Sequence, residues 1–183
     1  MALTSESTTI WKGTLFEGSG NVNLDSSGLA NFEVTWDGRS EGVANMTNPE
    51  ELLAAAHSSC FSMALSLALA QAGNPAESIQ TTAAVTFEGG KGVLGSHLLV
   101  SARVPGITEE EFEAFADDAK ANCPISKALS IPITIGCPLG FCVANLIVRS
   151  LMSCASVAVP LPSVTSVIAA ASSVRRVREI FIV

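Results

Sequence analysis

From Leu52 to Ala70 this chain carries no formal charge, and the stretch is bounded by clear start and stop signals. Asn48 suits an N-cap, Pro49 the first helical position, and Glu51 the acidic place of a capping box. Glu50 and Glu51 also complement the positive end of a helix dipole. Gly73, with Pro75 behind it, is a C-terminal stop. The spacing predicts a helix of about 24 residues, roughly 36 Å long, enough to cross a small domain. A helix so free of charge is expected to be buried on most sides, inside its own domain or against a partner. Ser58, Ser62 and Ser66 interrupt it at four-residue spacing, which argues against a membrane span. Cys60 and His57 lie in its middle.

The rest of the chain is read around that helix. Ile10–Phe16, Asn21–Leu24 and Ala30–Trp36 are short β-type runs separated by Gly18, Gly20 and the Asp25–Gly28 turn, and Phe32, Val34 and Trp36 share one face. Asp37-Gly38 is a turn that hands on to Arg39. After the helix, Ser78–Glu88 and Val93–Val104 form a hairpin through Gly89-Gly90-Lys91-Gly92. That glycine run lacks the spacing of a phosphate-binding loop. Thr108 and Glu111 make a second capping box, opening a helix with Phe112, Phe115, Ala116 and Ala119 on one face. Cys123 continues that face, and Pro124 breaks the helix there. Ile131–Ile135 is a last short strand, at an edge because of Pro132. The order β-β-β-α-β-β-α-β makes an α+β domain.

At 183 residues one domain is expected. Ten Lys and Arg against seventeen Asp and Glu, a net charge of −7, leave no basic face for nucleic acid. Met1–Thr9 has neither a basic nor an apolar leader region, so a cytoplasmic protein is expected. There, five cysteines are core, metal or redox residues rather than a disulfide framework. Composition changes near Gly136. Residues 1–135 hold sixteen acidic and six basic side chains, whereas residues 136–183 hold Glu179 against Arg149, Arg175, Arg176 and Arg178. The tail carries Cys137, Cys142 and Cys154 with no histidine nearby, a poor zinc set. Two prolines and eight Ser or Thr residues between Ser150 and Val174 argue against a membrane helix there.

Taken alone, Cys60 reads either as a small core residue or as a reactive thiol. His57, one turn earlier, reads as a packed, hydrogen-bonded side chain, a base, or a metal ligand with cysteines. Cys123 stands beside a helix break, the kind of hinge a cysteine needs if it must swing several ångströms to form a disulfide.

The run from Asn48 through His57-Ser58-Ser59-Cys60-Phe61 to Ala64 resembles the signature of the OsmC/Ohr family, the osmotically induced and organic hydroperoxide resistance proteins. Ala119–Ser126, around Cys123-Pro124, resembles the family's second cysteine motif, and Trp36-Asp37-Gly38-Arg39 resembles the OsmC branch. The resemblance covers residues 8–135. It implies an OsmC-like fold, an antiparallel sheet around long central helices, in an intertwined homodimer. It also implies thiol-dependent reduction of organic hydroperoxides. Cys60 would become a sulfenic acid, Cys123 would resolve it to a Cys60–Cys123 disulfide, and an external dithiol, dihydrolipoamide or a lipoylated protein, would reduce that. No metal, haem, flavin, nucleic acid or membrane enters this reading. The rival is a non-catalytic module that binds a small apolar ligand and keeps structural cysteines.

The expected chemistry makes demands on the residues. A thiol with a pKa of about 8.5 is mostly protonated at neutral pH, and burial makes that worse. Cys60 is about three turns into its helix, beyond useful reach of the N-terminal dipole, so it needs a cation. Arg39 is the one the resemblance selects, with Glu50 as the acid that holds it. Glu50 precedes Cys60 by ten residues, roughly 15 Å along one axis. An antiparallel partner helix would bring the Glu50 of one subunit to the Cys60 of the other, with Ala54-Ala55-Ala56 permitting close approach. Phe61, Met63 and Leu65 are expected to line an apolar pocket. The peroxidase domain is assigned to residues 1–135, and residues 136–183 to an apolar tail outside the resemblance, disordered and dispensable.

Overall fold

A computed structural model describes residues 2–136, and the expectations for the tail lie outside the described residues. The strands β1 (Thr8–Lys12), β2 (Ser19–Asn23) and β3 (Asn31–Thr35) form an antiparallel sheet in sequence order. A one-turn helix, α1 (Trp36–Ser40), follows β3 directly, and α2 (Pro49–Gln71) comes next. Then β4 (Ser78–Glu88) and β5 (Gly92–Arg103) make a long hairpin. Helices α3 (Glu109–Asn122) and α4 (Pro124–Ala128) lead to β6 (Ile133–Gly136). Among the described residues the second sheet runs β4-β5-β6, with β6 at its edge as expected.

Two features depart from the expected order. The second sheet is mixed, not antiparallel: β4 and β5 are antiparallel, whereas β6 runs parallel to β5, pairing Ser96 with Ile133 and Leu99 with Gly136. A parallel neighbour needs a long crossover, and here α3 and α4 supply it. Nor does β3 run on into Trp36. The Thr35 hydroxyl accepts the Gly38 N–H at 3.0 Å and caps α1 there, so Arg39 sits on a helical turn rather than a loop.

The start and stop of α2 are as the sequence predicts. The Asn48 side chain accepts the Glu51 N–H at 2.8 Å. Gly73 takes φ +83°, and the Asn74 N–H reaches back to the Leu69 carbonyl at 2.9 Å. Glu51 does not close a capping box; its carboxylate instead accepts the Thr47 hydroxyl at 2.6 Å. In α3 the Thr108–Glu111 box is complete in both directions.

Within one chain α2 is buried along a single face. Glu50, His57, Phe61, Leu65 and Leu69 are buried, and the last three join Leu98, Val100, Val104, Phe112, Ala116 and Cys123 in the core between α2, α3 and β5. The opposite stripe, Ala55, Ala56, Ser59, Met63, Ser66, Leu67 and Ala70, is exposed. Of the two sequence expectations, burial inside the chain therefore accounts for half the helix only. Phe61 and Leu65 are fully buried and so line no pocket; they share the sheet-facing row with His57 and Leu69 at four-residue spacing. Met63, 73% exposed, points the other way. By length and hydropathy α2 could cross a bilayer, but its buried Glu50 and His57 and its packing on β4, α3 and α4 are those of a core helix.

Candidate active site

Cys123 ends α3 and begins α4 in one residue, with extended backbone (φ −57°, ψ 123°) because Pro124 excludes helical geometry there. That break turns its side chain onto α2, and the Cys60 and Cys123 sulfurs stand 3.2 Å apart as free thiols. The two are unequal. Cys123 is fully buried, whereas Cys60 is partly exposed and opens on a groove of about 550 Å³ with Met63, Ala64, Leu67 and Ala119 on its wall. A reagent from solvent therefore meets Cys60 first.

The electrostatics of the pair follow from this burial. Burial pushes the Cys60 thiol up, the Ile125 backbone works against that, and the Cys123 thiol adds to the rise. Burial also opposes ionisation of Cys123. There, however, hydrogen bonds from the Ser126 and Ile125 backbone, from Cys60 and from the Ser126 hydroxyl outweigh it, and the thiol is lowered. Two sulfurs this close titrate as a unit. Burial works against a thiolate at Cys60 in an isolated chain, and a cation beside that sulfur would favour it.

Among the described residues no cation contacts either sulfur. Arg39 is engaged with Glu50, its Nε 3.2 Å from both carboxylate oxygens and its Nη2 2.6 Å from Oε1. The guanidinium lies over the Phe87 ring, 4.0 Å from its centroid. Trp36 meets Phe87 and Phe16 edge-on at 6.4 and 5.5 Å. The pair borders its own cleft at the start of α2, with Ala54, Ala83 and Val85. The predicted residues thus come together as two pairs, Cys60 with Cys123 and Arg39 with Glu50, and among the described residues no hydrogen bond or ion pair links one to the other.

His57 is the packed, hydrogen-bonded histidine. It is fully buried, its Nδ1 2.8 Å from the Ser96 hydroxyl and its Nε2 2.9 Å from the Ser126 hydroxyl. Burial lowers its pKa, so the ring is neutral. Among the described residues no three His, Cys, Asp or Glu side chains converge on one point. Ser96, Ser126 and Phe87 escaped the sequence reading. Ser126 at least lies inside the second cysteine motif; Ser96, on a strand 39 residues from His57, has no local signal.

The family described as OsmC-like protein matches residues 42–137. Over 128 residues the chain is 41% identical to the peroxiredoxin OsmC of Escherichia coli K12, covering 68% of this chain and 89% of that protein. It is 32% identical to the organic hydroperoxide resistance protein OhrA of Bacillus subtilis, covering 58% and 78%. Among solved structures it is similar to an organic hydroperoxide resistance protein from Elizabethkingia anophelis, with a TM-score of 0.55 and 28% identity over 80% of this chain and 99% of that one. The B. subtilis OhrB structure, at a TM-score of 0.56 and 21% identity over 74% and 98%, shares the fold.

Proposed function

The chain belongs to the OsmC-like protein family, and from that premise we propose that it is a cytoplasmic two-cysteine peroxidase that reduces organic hydroperoxides to alcohols. The observation that carries this reading is the 3.2 Å approach of an accessible thiol and a sealed one across two helices. The Cys60 thiolate attacks the outer peroxide oxygen, the O–O bond breaks, and the alkoxide leaves and is protonated to the alcohol. Cys60 is left as a sulfenic acid. Cys123 then attacks the Cys60 sulfur, the S–O bond breaks, water leaves and a disulfide forms. An external dithiol, dihydrolipoamide or a lipoylated protein in our reading, supplies two electrons by exchange and restores both thiols.

The active unit in this reading is an intertwined homodimer. The Arg39–Glu50 pair of a second copy would meet Cys60, where a guanidinium can hold the thiolate and polarise the peroxide oxygen. The exposed stripe of α2 supports this: its small Ala55 and Ala56 lie midway between Glu50 and Cys60, where two antiparallel helices would cross. The apolar groove beside Cys60 favours alkyl, aryl or lipid hydroperoxides over hydrogen peroxide, because each buried methylene contributes about 0.8 kcal/mol. The catalytic unit is residues 1–135, extended by the pairing of Gly136 with Leu99; a chain ended there should keep the activity.

The test is turnover by two variants. Cys60→Ser should abolish hydroperoxide consumption. Cys123→Ser should consume about one equivalent per Cys60 and then stall as the sulfenic acid. Activity retained by Cys60→Ser would refute the assignment, and a wild type that consumes no hydroperoxide would favour the ligand-binding alternative.

A further inference from the structure

We propose that Met46 is a site of oxidation by excess hydroperoxide, and that its sulfoxide unseats the helical turn that carries Arg39. The inference rests on the peroxidase reading above, which supplies the oxidant and gives Arg39 its task.

Its basis is the way α1 is held. A single helical turn fixes several residues for few hydrogen bonds and does not stand on its own. The Thr35 hydroxyl accepts the Gly38 N–H at 3.0 Å and donates to the Met46 sulfur at 3.0 Å. The same sulfur lies against the bare backbone of the turn, for a Cβ added to Gly38 would come within 2.5 Å of it. Gly38 is buried, and Arg39 is the next residue. One thioether therefore touches both the cap of α1 and its middle, one residue from the position that presents the guanidinium to Glu50. Met46 is half-buried, so a reagent reaches its side chain without the domain unfolding.

A thioether is apolar and a weak acceptor, whereas a sulfoxide is polar and chiral. In the oxidation the Met46 sulfur attacks the outer peroxide oxygen, the O–O bond breaks and an S–O bond forms. The proton on that oxygen passes to the departing alkoxide, so thioether and hydroperoxide give sulfoxide and alcohol. The product does not fit the packing of the reduced form. An oxygen added on the Thr35 side would stand between two atoms that are 3.0 Å apart. One added on the Gly38 side would enter a space too tight for a carbon. One added toward solvent leaves the sulfur positively polarised, and the Thr35 hydroxyl loses its acceptor there and turns to the sulfoxide oxygen. In each case the cap or the turn gives way, and Arg39 leaves the orientation that Glu50 and Phe87 fix. A dithiol that reopens the cysteine disulfide does not reverse this; a methionine sulfoxide reductase does.

The experiment treats the full chain with excess cumene hydroperoxide in the absence of dithiol, then removes the reagent. Turnover with dithiothreitol is measured as a fraction of that of the same protein untreated, and peptide mass reports oxygen at Met46 and at Met63, which is 73% exposed. With Met46 oxidised, turnover should fall about tenfold or more, toward the loss expected when a preorganised donor is removed. The two methionine sulfoxide reductases, one for each epimer, should restore it, which they do not do for a Cys60 carried past the sulfenic acid. Met46→Leu should keep its turnover through the treatment, and Met63→Leu should lose it. In Arg39→Ala the same treatment should cost little more, because the group it displaces is already gone. Should Met46→Leu fail to fold, Met63→Leu decides, since its loss must follow the mass of the Met46 peptide. Full turnover with Met46 oxidised would overturn the inference alone. So would a Met46 left intact where Met63 is oxidised, or a loss that Met46→Leu shares or the reductases do not reverse. An untreated wild type without turnover would sink the peroxidase reading and this inference with it.

Discussion

Arg39 and Glu50 hold each other at 2.6 Å, while Cys60 lies ten residues further along the helix that carries Glu50. The guanidinium is fixed on two sides, by the carboxylate and by the Phe87 ring, and so is set in one orientation before any substrate arrives. A group held this way has little to reorganise when charge develops beside it.

Arg39→Ala should therefore slow Cys60 oxidation by about 10²–10³, the usual effect of removing one preorganised donor. It should also move the pH profile of Cys60 alkylation upward. Glu50→Gln, which frees the guanidinium without deleting it, should cost less. An alkylation profile unchanged by Arg39→Ala would remove Arg39 from the site.

In the dimer proposed above, activity depends on association. Ala56→Glu puts a charge on the exposed stripe of α2, off the wall of the Cys60 groove and away from the core that holds Cys60 against Cys123. Sedimentation should show a monomer, and turnover should fall with it, while the thermal transition stays near that of the wild type. A monomer with full activity would show that one chain holds a complete site.

Stability should fall as the solution is acidified, in a window set by His57. Burial holds its folded-state pKa below the unfolded value of about 6.5, so the unfolded chain takes up a proton that the folded chain refuses. The contribution is complete above that value and is lost as pH falls through it. Urea midpoints between pH 8 and pH 5.5 should decline more steeply in the wild type than in His57→Gln. Equal slopes would mean that His57 does not titrate differently on unfolding.

What could be read from residues alone was local. Asn48, Pro49 and Gly73 bound α2, and Thr108 with Glu111 opens α3, because caps act within a turn. The burial of Cys123 followed from its four-residue step beyond Ala119, and the break there from Pro124. The contact of Cys123 with Cys60 came from resemblance; the geometry supplies its distance. Long-range choices were not legible. No property of Ile133–Gly136 tells a parallel neighbour from an antiparallel one, since that depends on where α3 and α4 deliver the chain. Met63 and Leu65 are both apolar, and only the packing of β4 and β5 under α2 decides which is core. The serines that hold His57 come from β5 and α4, so no spacing on α2 announces them.

The most direct measurement is peptide mapping of the purified chain before and after one equivalent of cumene hydroperoxide, with free thiols blocked at each stage. Cys60 and Cys123 should both be alkylated beforehand, and afterwards should be recovered as one disulfide-linked peptide pair that dihydrolipoamide reopens. Two cysteines still fully alkylated after the hydroperoxide has been consumed, or a bond from Cys60 to any cysteine other than Cys123, would contradict the account.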